Sequence, residues 1–467
     1  MSKFNKKVSA RTSNLAGGLA YRMGAEQELI HAVLTTFLDD KYYESGSDRI
    51  ERIKKLIAEN KPEFVANLAV IARQEFHLRS VSHILLGELS KMHRGDDLVK
   101  RTIVKSTNRP DDLMEIASYV GLPFPKQLKR GIRNAILKFD RYQLAKYKGE
   151  GKGISLVDLF NLTHPKTKHA TDEQKLAWKD LVEGNLKSFD TWETELSNAK
   201  NNEERKILLE NLIKENKIGY MALLRNLNNL VKYDVSKSVK EIAVSKLTNP
   251  EEIKKSKQLP FRFLTAYKNV SGERMFADAI SIAMDHAVSN TPELSGKILI
   301  AIDSSRSMVG GAINKASIFA ATLFKANQNA DLILYDTNVK KPTSLSGRTP
   351  VIDLANSIEK MAMGGGTQTS LVFAYAAQEK KSYDRFIILS DNESWNEHSV
   401  QSSYVKYKEL TQTDPFIYAI DTQGYGTKDI TGSKVFHLTG WSERLLDFIA
   451  QAEKGNSLVD YVKNYEL

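Results

Sequence analysis

The feature that most limits the fold is the run Lys297-Ile298-Leu299-Ile300-Ala301-Ile302-Asp303-Ser304-Ser305-Arg306-Ser307-Met308. Its apolar, largely β-branched first half has no polar side, which reads as a parallel strand covered on both faces. The run stops at Asp303-x-Ser305-x-Ser307, followed by Gly310-Gly311 and a helical pattern from about Ile313 to Asn327. One carboxylate and two hydroxyls thus stand outside the carboxyl end of a strand, where open α/β sheets collect ligands. Oxygen-only donors suit a hard divalent cation, Mg²⁺ first and Mn²⁺ or Ca²⁺ after it. Taken alone, the serines also read as a plain helix-capping turn.

Two later stretches add to the set. Met363-Gly364-Gly365-Gly366-Thr367 is a glycine loop ahead of a helix and offers another hydroxyl. Phe386-Ile387-Ile388-Leu389-Ser390-Asp391 is a second buried strand that ends in a carboxylate. In this order the three pieces resemble the metal-ion-dependent adhesion site (MIDAS) of von Willebrand factor A-type domains. The resemblance implies Asp303, Ser305, Ser307, Thr367 and Asp391 as metal ligands. One departure is Gln368, where the family often has Asp, which implies an altered metal affinity.

The chain around these motifs divides in two. After Ser289-Asn290-Thr291-Pro292 the pattern alternates: strand 298–302, helix 313–327, strand 331–335, helices 351–362 and 369–380, strand 386–390, helix 400–410, strand 416–420. A strand at Val435–Leu438 and a helix from Glu443 to Ala450 complete a predicted doubly wound α/β domain over 294–452. A tail, 453–467, is free to pack back on what precedes. Residues 1–25 are polar and contain Gly17-Gly18, so they read as an irregular arm. From 26 to 290 apolar residues recur at three and four, as in Ile50-x-x-Ile53-x-x-Leu56-Ile57 and Phe64-Val65-x-x-Leu68-Ala69. Breaks at Asn60-Lys61-Pro62, Arg94-Gly95-Asp96-Asp97 and Asn108-Arg109-Pro110 leave helices of ten to fifteen residues with no strands between them. That pattern predicts an all-α solenoid-like array without a clean repeat length.

Charge is unevenly spread along these parts. Residues 1–290 hold 49 Lys and Arg against 37 Asp and Glu, a surplus of 12; the remainder holds 18 against 20. Within 121–170 there are 11 basic and 3 acidic residues. Lys126-x-x-Lys129-Arg130-x-x-Arg133, continued by Lys138-x-x-Arg141, is spaced to line one side of a helix. Lys146, Lys148 and Lys152 lead through a glycine-rich loop that lacks the strand and Gly-Lys-Ser/Thr ending of a nucleotide-binding loop. His164, Lys166 and Lys168 close the segment. So concentrated a patch favours a polyanion such as nucleic acid. The competing readings are a solvated basic helix and, for His164, a buried cap. The absence of Cys excludes disulfides, thiolate metal sites and a Cys nucleophile, and points to the cytoplasm. No apolar run approaches the ~18 residues of a membrane span, so no membrane partner is expected, and the chain reads as a monomer. Ser305 and Ser307 have no general base paired with them in sequence, so no enzyme is expected.

A long helical array followed by an A-type domain resembles the Ro autoantigen (TROVE) family. Local stretches carry the likeness: Asn14-Leu15-Ala16-Gly17-Gly18, Lys146-Tyr147-Lys148, Val157-Asp158-Leu159-Phe160-Asn161-Leu162-Thr163-His164-Pro165-Lys166, Ala222-Leu223-Leu224-Arg225-Asn226-Leu227, Pro260-Phe261 and Asp391-Asn392-Glu393. The resemblance implies HEAT-like helices closed into a ring by the A-type domain. It implies small structured Y-like RNAs on the basic surface, and misfolded RNA with its single-stranded end in the opening. It places Lys146, Lys148, His164 and Lys166 at or near that opening, with Lys126, Lys129, Arg130, Arg133, Arg141, Lys152 and Lys168 as further contacts. An exoribonuclease or another protein is an implied partner of the A-type domain. Asn161 stands where the family has Arg, which removes one phosphate contact. The alternative function is a metal-dependent protein-interaction adaptor. The shorter chain, the absence of Cys and the Lys- and Asn-rich composition fit a bacterial or phage member.

Overall fold

The computed structural model describes residues 11–35, 44–149, 153–187, 192–342, 346–362, 364–395, 399–439, 445, 449 and 457–467. Lys152, Met363 and most of the expected helix 443–450 lie outside the described residues.

From Ala25–Leu34 to Arg274–Ala287 the chain is helical, as its periodicity predicts. Local chemistry sets the helix starts. The Ser45 hydroxyl accepts from the Asp48 amide ahead of Gly46–Glu59, and Pro62 stands in the first turn of Pro62–Gln74, where no amide is missed. Ser155 with Asp158, and Thr171 with Gln174, form reciprocal caps that satisfy two orphan amides each. Neighbouring helices pack in pairs: Pro62–Gln74 on Ser80–Met92, Leu98–Ser106 on Lys126–Ala135, Lys237–Thr248 on Arg274–Ala287. One apolar core runs from Leu29 through both halves to Val462.

The strands, in chain order, are β1 Arg11–Ser13, β2 Leu19–Arg22, β3 Ile298–Asp303, β4 Ala330–Tyr335, β5 Val339–Lys340, β6 Arg385–Ser390, β7 Phe416–Asp421, β8 Thr427–Lys428 and β9 Val435–Thr439. Six of them form one sheet in the order β5-β4-β3-β6-β7-β9, parallel except at β5. Side chains on β3 alternate between two cores. Ile298, Ile300 and Ile302 join the core that continues into the array, whereas Leu299 and Ala301 meet Ile333, Tyr335, Phe386 and Phe373 on the other face. From 298 to 439 the predicted strands and helices of this domain agree with observed ones to within a residue or two.

Residues 11–22 correct the expectation of an irregular arm. They form a hairpin, β1 on β2, and β2 pairs with β8 of the α/β domain through Tyr21↔Lys428 and Arg22↔Thr427. The pairing partner lies some four hundred residues away, so no local pattern announces it.

Both ends of the array touch the α/β domain. At the far end Asp285 Oδ1 accepts from the Val351 amide at 2.9 Å and from Lys325 Nζ at 2.9 Å. At the near end the first two helices hold the loop after β7. His31 Nδ1 lies 2.9 Å from Asp421 Oδ2, and Arg49 Nη1 donates to the Gln423 carbonyl at 2.6 Å and to Thr35 Oγ1 at 3.1 Å. Arg49 also pairs with Glu44 at 2.7 Å, and Arg52 donates to the Gly424 carbonyl at 2.6 Å. The C-terminal helix Leu458–Lys463 packs back on Pro62–Gln74, with Asn67 Nδ2 donating to the Val462 carbonyl at 2.8 Å.

Arg49 is fully buried. Removing one partner of a buried polar cluster leaves the others unpaired, so Arg49→Ala is expected to cost about 3 kcal/mol of stability. Arg274→Ala, which deletes one half of an exposed i,i+4 pair with Asp278, should leave the urea unfolding curve unchanged. Equal curves for both variants would contradict the role given to the Arg49 contacts.

Candidate functional site

Three loops meet outside the carboxyl ends of β3 and β6. The first follows β3. The Ser305 amide donates to Asp303 Oδ1 at 2.9 Å, Ser390 Oγ donates to Asp303 Oδ2 at 2.6 Å, and the Ser305 and Ser307 hydroxyl oxygens lie 3.3 Å apart. The second is the glycine loop. The Arg306 amide donates to the Gly365 carbonyl at 3.0 Å and the Gly364 amide to the Ser304 carbonyl at 3.1 Å, which binds it to the first. The third follows β6. The Trp395 amide donates to the Thr367 carbonyl at 3.1 Å, Ser394 Oγ to the same carbonyl at 3.3 Å, and the Glu393 amide to Asp391 Oδ1 at 3.2 Å. The structure therefore gathers all five predicted oxygen-donor residues on three mutually bonded loops.

Asp303, Ser305, Thr367 and Asp391 are buried and Ser307 is half-buried. Burial, with repulsion from Asp336 adding to it, pushes the Asp303 carboxyl above its ordinary range. Burial and then repulsion from Asp303 push Asp391 up as well, against the pull of the Ser307 hydroxyl. Asp391 Oδ2 is buried and accepts no hydrogen bond among the described residues. Two crowded carboxylates, neighbouring hydroxyls and an orphaned oxygen fit a hard cation. Among the described residues no three His, Cys, Asp or Glu side chains are arranged to hold a metal, so any such ion would lean on the hydroxyls.

The basic segment is more divided than its spacing suggests. Helix Lys126–Ala135 buries Leu128, Gly131, Ile132 and Ala135 and leaves Lys126 and Arg130 exposed and Lys129 half-exposed. The predicted continuous stripe breaks at Phe139-Asp140: Phe139 is buried, and Asp140 caps a new helix by accepting from the Gln143 amide at 2.7 Å. Several cations serve the fold. Lys138 donates to the Val104 and Thr107 carbonyls, Arg133 donates to the Thr163 carbonyl at 2.9 Å, and Arg141 pairs with Asp180 at 2.7 Å. Lys146 donates to Tyr142 OH at 3.1 Å and stands 3.6 Å from Glu193; Lys148 is half-buried. Lys126, Lys129, Arg130, Lys166 and Lys168 make no side-chain ion pair or hydrogen bond among the described residues. His164 is exposed, and at φ 49° it ends helix Leu156–Thr163, which disposes of the buried-cap reading.

A cavity of about 570 Å³ lies between the first helices, the late helices and helix Gly311–Ala326. Leu34, Phe76, Phe261 and Phe319 give it apolar walls, and Arg225, Asn228, Arg262 and Lys315 bring polar groups to it. None of the described basic candidates from 126–168 lines it. Sequence reasoning left these four polar residues unassigned, although Arg225 lies in the Ala222–Leu227 stretch and Arg262 directly follows Pro260-Phe261.

One consequence of the paired carboxylates is testable without any metal. The raised group holds its proton in the folded chain while the unfolded chain has lost it. Stability therefore falls as pH rises from the unfolded value near 4 towards the folded one. In chelator at pH 7, Asp303→Asn should raise stability by on the order of 1–2 kcal/mol, and the gain should vanish below about pH 4. Urea unfolding at the two pH values checks it; a variant less stable than the parent at pH 7 would contradict the crowding.

Comparison with known proteins agrees with this architecture. The TROVE domain family matches residues 31–189 and 184–279, and the Ro60 vWA domain family matches 297–451. The chain is 24% identical over 306 residues to Telomerase protein component 1 of Rattus norvegicus, covering 47% of this chain and 12% of that protein. It is 24% identical over 319 residues to the RNA-binding protein RO60 of Deinococcus radiodurans, covering 57% of this chain and 60% of that one. The crystal structure of the Deinococcus radiodurans RO (RSR) protein superposes with a TM-score of 0.63 at 18% identity, over 92% of this chain and 100% of that one. With its helical half matched throughout and its sheet domain matched by the companion family, the chain belongs to the TROVE-domain family and carries a Ro60-type vWA domain.

Proposed function

We propose that the protein is a non-catalytic RNA-binding scaffold of the Ro type. Structured, Y-like RNAs would bind on its basic surface, and the unpaired ends of misfolded RNAs would enter the cavity between the first and last helices. The observation that carries the reading is the set of exposed cations Lys126, Arg130, Lys166 and Lys168, unspent on the fold, in a segment with a surplus of eight positive charges. Lys and Arg contacts to phosphate give affinity with little sequence choice. A cavity of about 570 Å³ is too small for a duplex, and its aromatic walls suit an unstacked base with Arg225, Arg262 or Lys315 near the backbone. The name of the Deinococcus radiodurans relative, RNA-binding protein RO60, supports the same reading.

The proposal includes a divalent cation, Mg²⁺ before Mn²⁺ or Ca²⁺, at Asp303, Ser305, Ser307, Thr367 and Asp391. Such an ion would neutralise the two crowded carboxylates and leave the A-type face available to a protein partner such as an exoribonuclease.

Filter binding over a salt series tests the RNA reading. Replacing Lys126, Lys129, Arg130, Lys166 and Lys168 together should flatten the salt dependence by about 0.7–0.9 for each phosphate that is no longer neutralised. Arg225→Ala combined with Asn228→Ala should leave that slope nearly intact but cut the preference for an RNA with a single-stranded tail about fivefold. An unchanged slope in the fivefold variant would reduce the basic face to a solvated surface and put the adaptor reading first. Separately, Asp303→Ala should abolish the calorimetric signal of Mg²⁺ or Mn²⁺ while RNA affinity stays within about threefold, because the basic face lies in the other half of the chain.

A further inference from the structure

The Asn14–Gly18 turn has no part in the function proposed above, yet it is built against the loop that carries Asp391. Asn14 is buried, and its Nδ2 donates to the Ser394 carbonyl at 2.7 Å and towards the Asn392 carbonyl at 3.5 Å. The Ala16 amide donates to Glu393 Oε2 at 3.1 Å, and the other oxygen of that carboxylate accepts from Thr427 Oγ1 at 3.4 Å. Gly18 sits so close that a Cβ there would run into the Ser394 carbonyl. The turn closes on itself as well, with the Gly18 amide donating to Asn14 Oδ1 at 2.7 Å.

The loop Asp391–Trp395 thus has two sides. One presents Asp391 to Asp303 and binds the Thr367 carbonyl through Ser394 and Trp395; the other offers three consecutive acceptors, at Asn392, Glu393 and Ser394, to the turn. We propose that the Asn14–Gly18 turn is a latch whose docking is coupled to cation occupancy at Asp303 and Asp391, so that the ion closes the seam between the N-terminal hairpin and the A-type domain. The proposal rests on the metal reading given above. Without an ion nothing ties the buried, unpartnered Asp391 Oδ2 to the loop after β3, and the loop after β6 is free to shift outward, which misplaces acceptors only one to three residues along. With the ion in place the loop is fixed and the acceptors meet the turn. A short two-stranded hairpin is marginal by itself, so its order follows its docking. Docked and undocked hairpin are the two states that the ion biases, and linkage makes the effect reciprocal: whatever weakens the latch must weaken the ion by the same factor.

Two measurements on the full-length chain test this. Hydrogen exchange at the Asn14, Ala16 and Gly18 amides is read in Mg²⁺ and in EDTA; protection should fall about tenfold on chelation, well beyond any change in the array. Calorimetric Mg²⁺ titrations of Asn14→Ala and Gly18→Ala should each show affinity lowered about fivefold or more, although neither residue is a ligand. If Mg²⁺ gives a binding heat in the parent but protection does not change and both variants titrate like the parent, the latch is wrong and the metal site stands. If neither Mg²⁺, Mn²⁺ nor Ca²⁺ gives a heat that Asp303→Ala removes, the metal reading fails and takes the latch with it. The exchange comparison needs no variant, so a variant that fails to fold does not shelter the idea.

Discussion

The pairing of His31 with Asp421 fixes the near end of the join between the array and the α/β domain. It is 2.9 Å long and wholly out of water, between the first array helix and the end of β7. Burial alone would raise the Asp421 carboxyl; the His31 hydrogen bond and the Gln423 and Gly424 amides overcome it, and the carboxyl ends below its ordinary range. Around the pair everything is shaped for close approach. Gly424, at φ 73°, lies where any side chain would strike Thr35 and the His31 carbonyl, and Arg49 spans the gap to the Gln423 carbonyl. An apolar seam would have tolerated many relative placements of the two halves, whereas a buried polar one accepts few.

The same distinction between buried and exposed charge governs the site. The C-terminal half is nearly neutral by count, but Asp303, Asp391, Asp421 and Asp429 are all buried at the carboxyl ends of its strands or close by. The acidity at these strand ends is therefore interior, concentrated where a cation could use it. The free positive charge of the basic segment is an exterior property, held on side chains such as Lys126, Arg130, Lys166 and Lys168 that make no ion pair among the described residues. Sequence totals describe neither, because they weigh a buried aspartate and an exposed one alike.

What could be read in the sequence follows from how local each signal is. Strands β3 and β6 were legible because a doubly covered strand needs an unbroken apolar run, and the carboxylate that ends each run marks the sheet edge. Asp303, Ser305, Ser307 and Asp391 sit within a few residues of such an edge, whereas Thr367, on the glycine loop, joined the set only through the resemblance to A-type domains. The continuous basic stripe was misread because three-and-four spacing persists across Phe139-Asp140, where a buried ring and a capping aspartate turn the chain. Hairpin 11–22 escaped notice because Arg11-Thr12-Ser13 has no apolar alternation, and its order comes from β8 and the loop after β6. The cavity escaped for a related reason: Phe76, Arg225, Phe261 and Lys315 belong to four separate segments of the chain, and only tertiary packing brings them together.

The hairpin also fixes something about the order in which a ribosome can finish this molecule. The hydrogen bond from Asn14 to Ser394 joins residues 380 apart, and that from Ala16 to Glu393 joins residues 377 apart. At synthesis rates of about 5–20 residues per second the first strands emerge roughly 20–75 s before their docking partner exists. Helices of the array can pair with their neighbours as they appear, because those contacts are local. The N-terminal segment cannot; it waits without its partner strand. Arg11, Thr12, Ser13 and Arg22 interrupt its apolar residues and keep such a segment soluble during that interval. Closure of the molecule is therefore a late, long-range event, completed only when the A-type domain has been made.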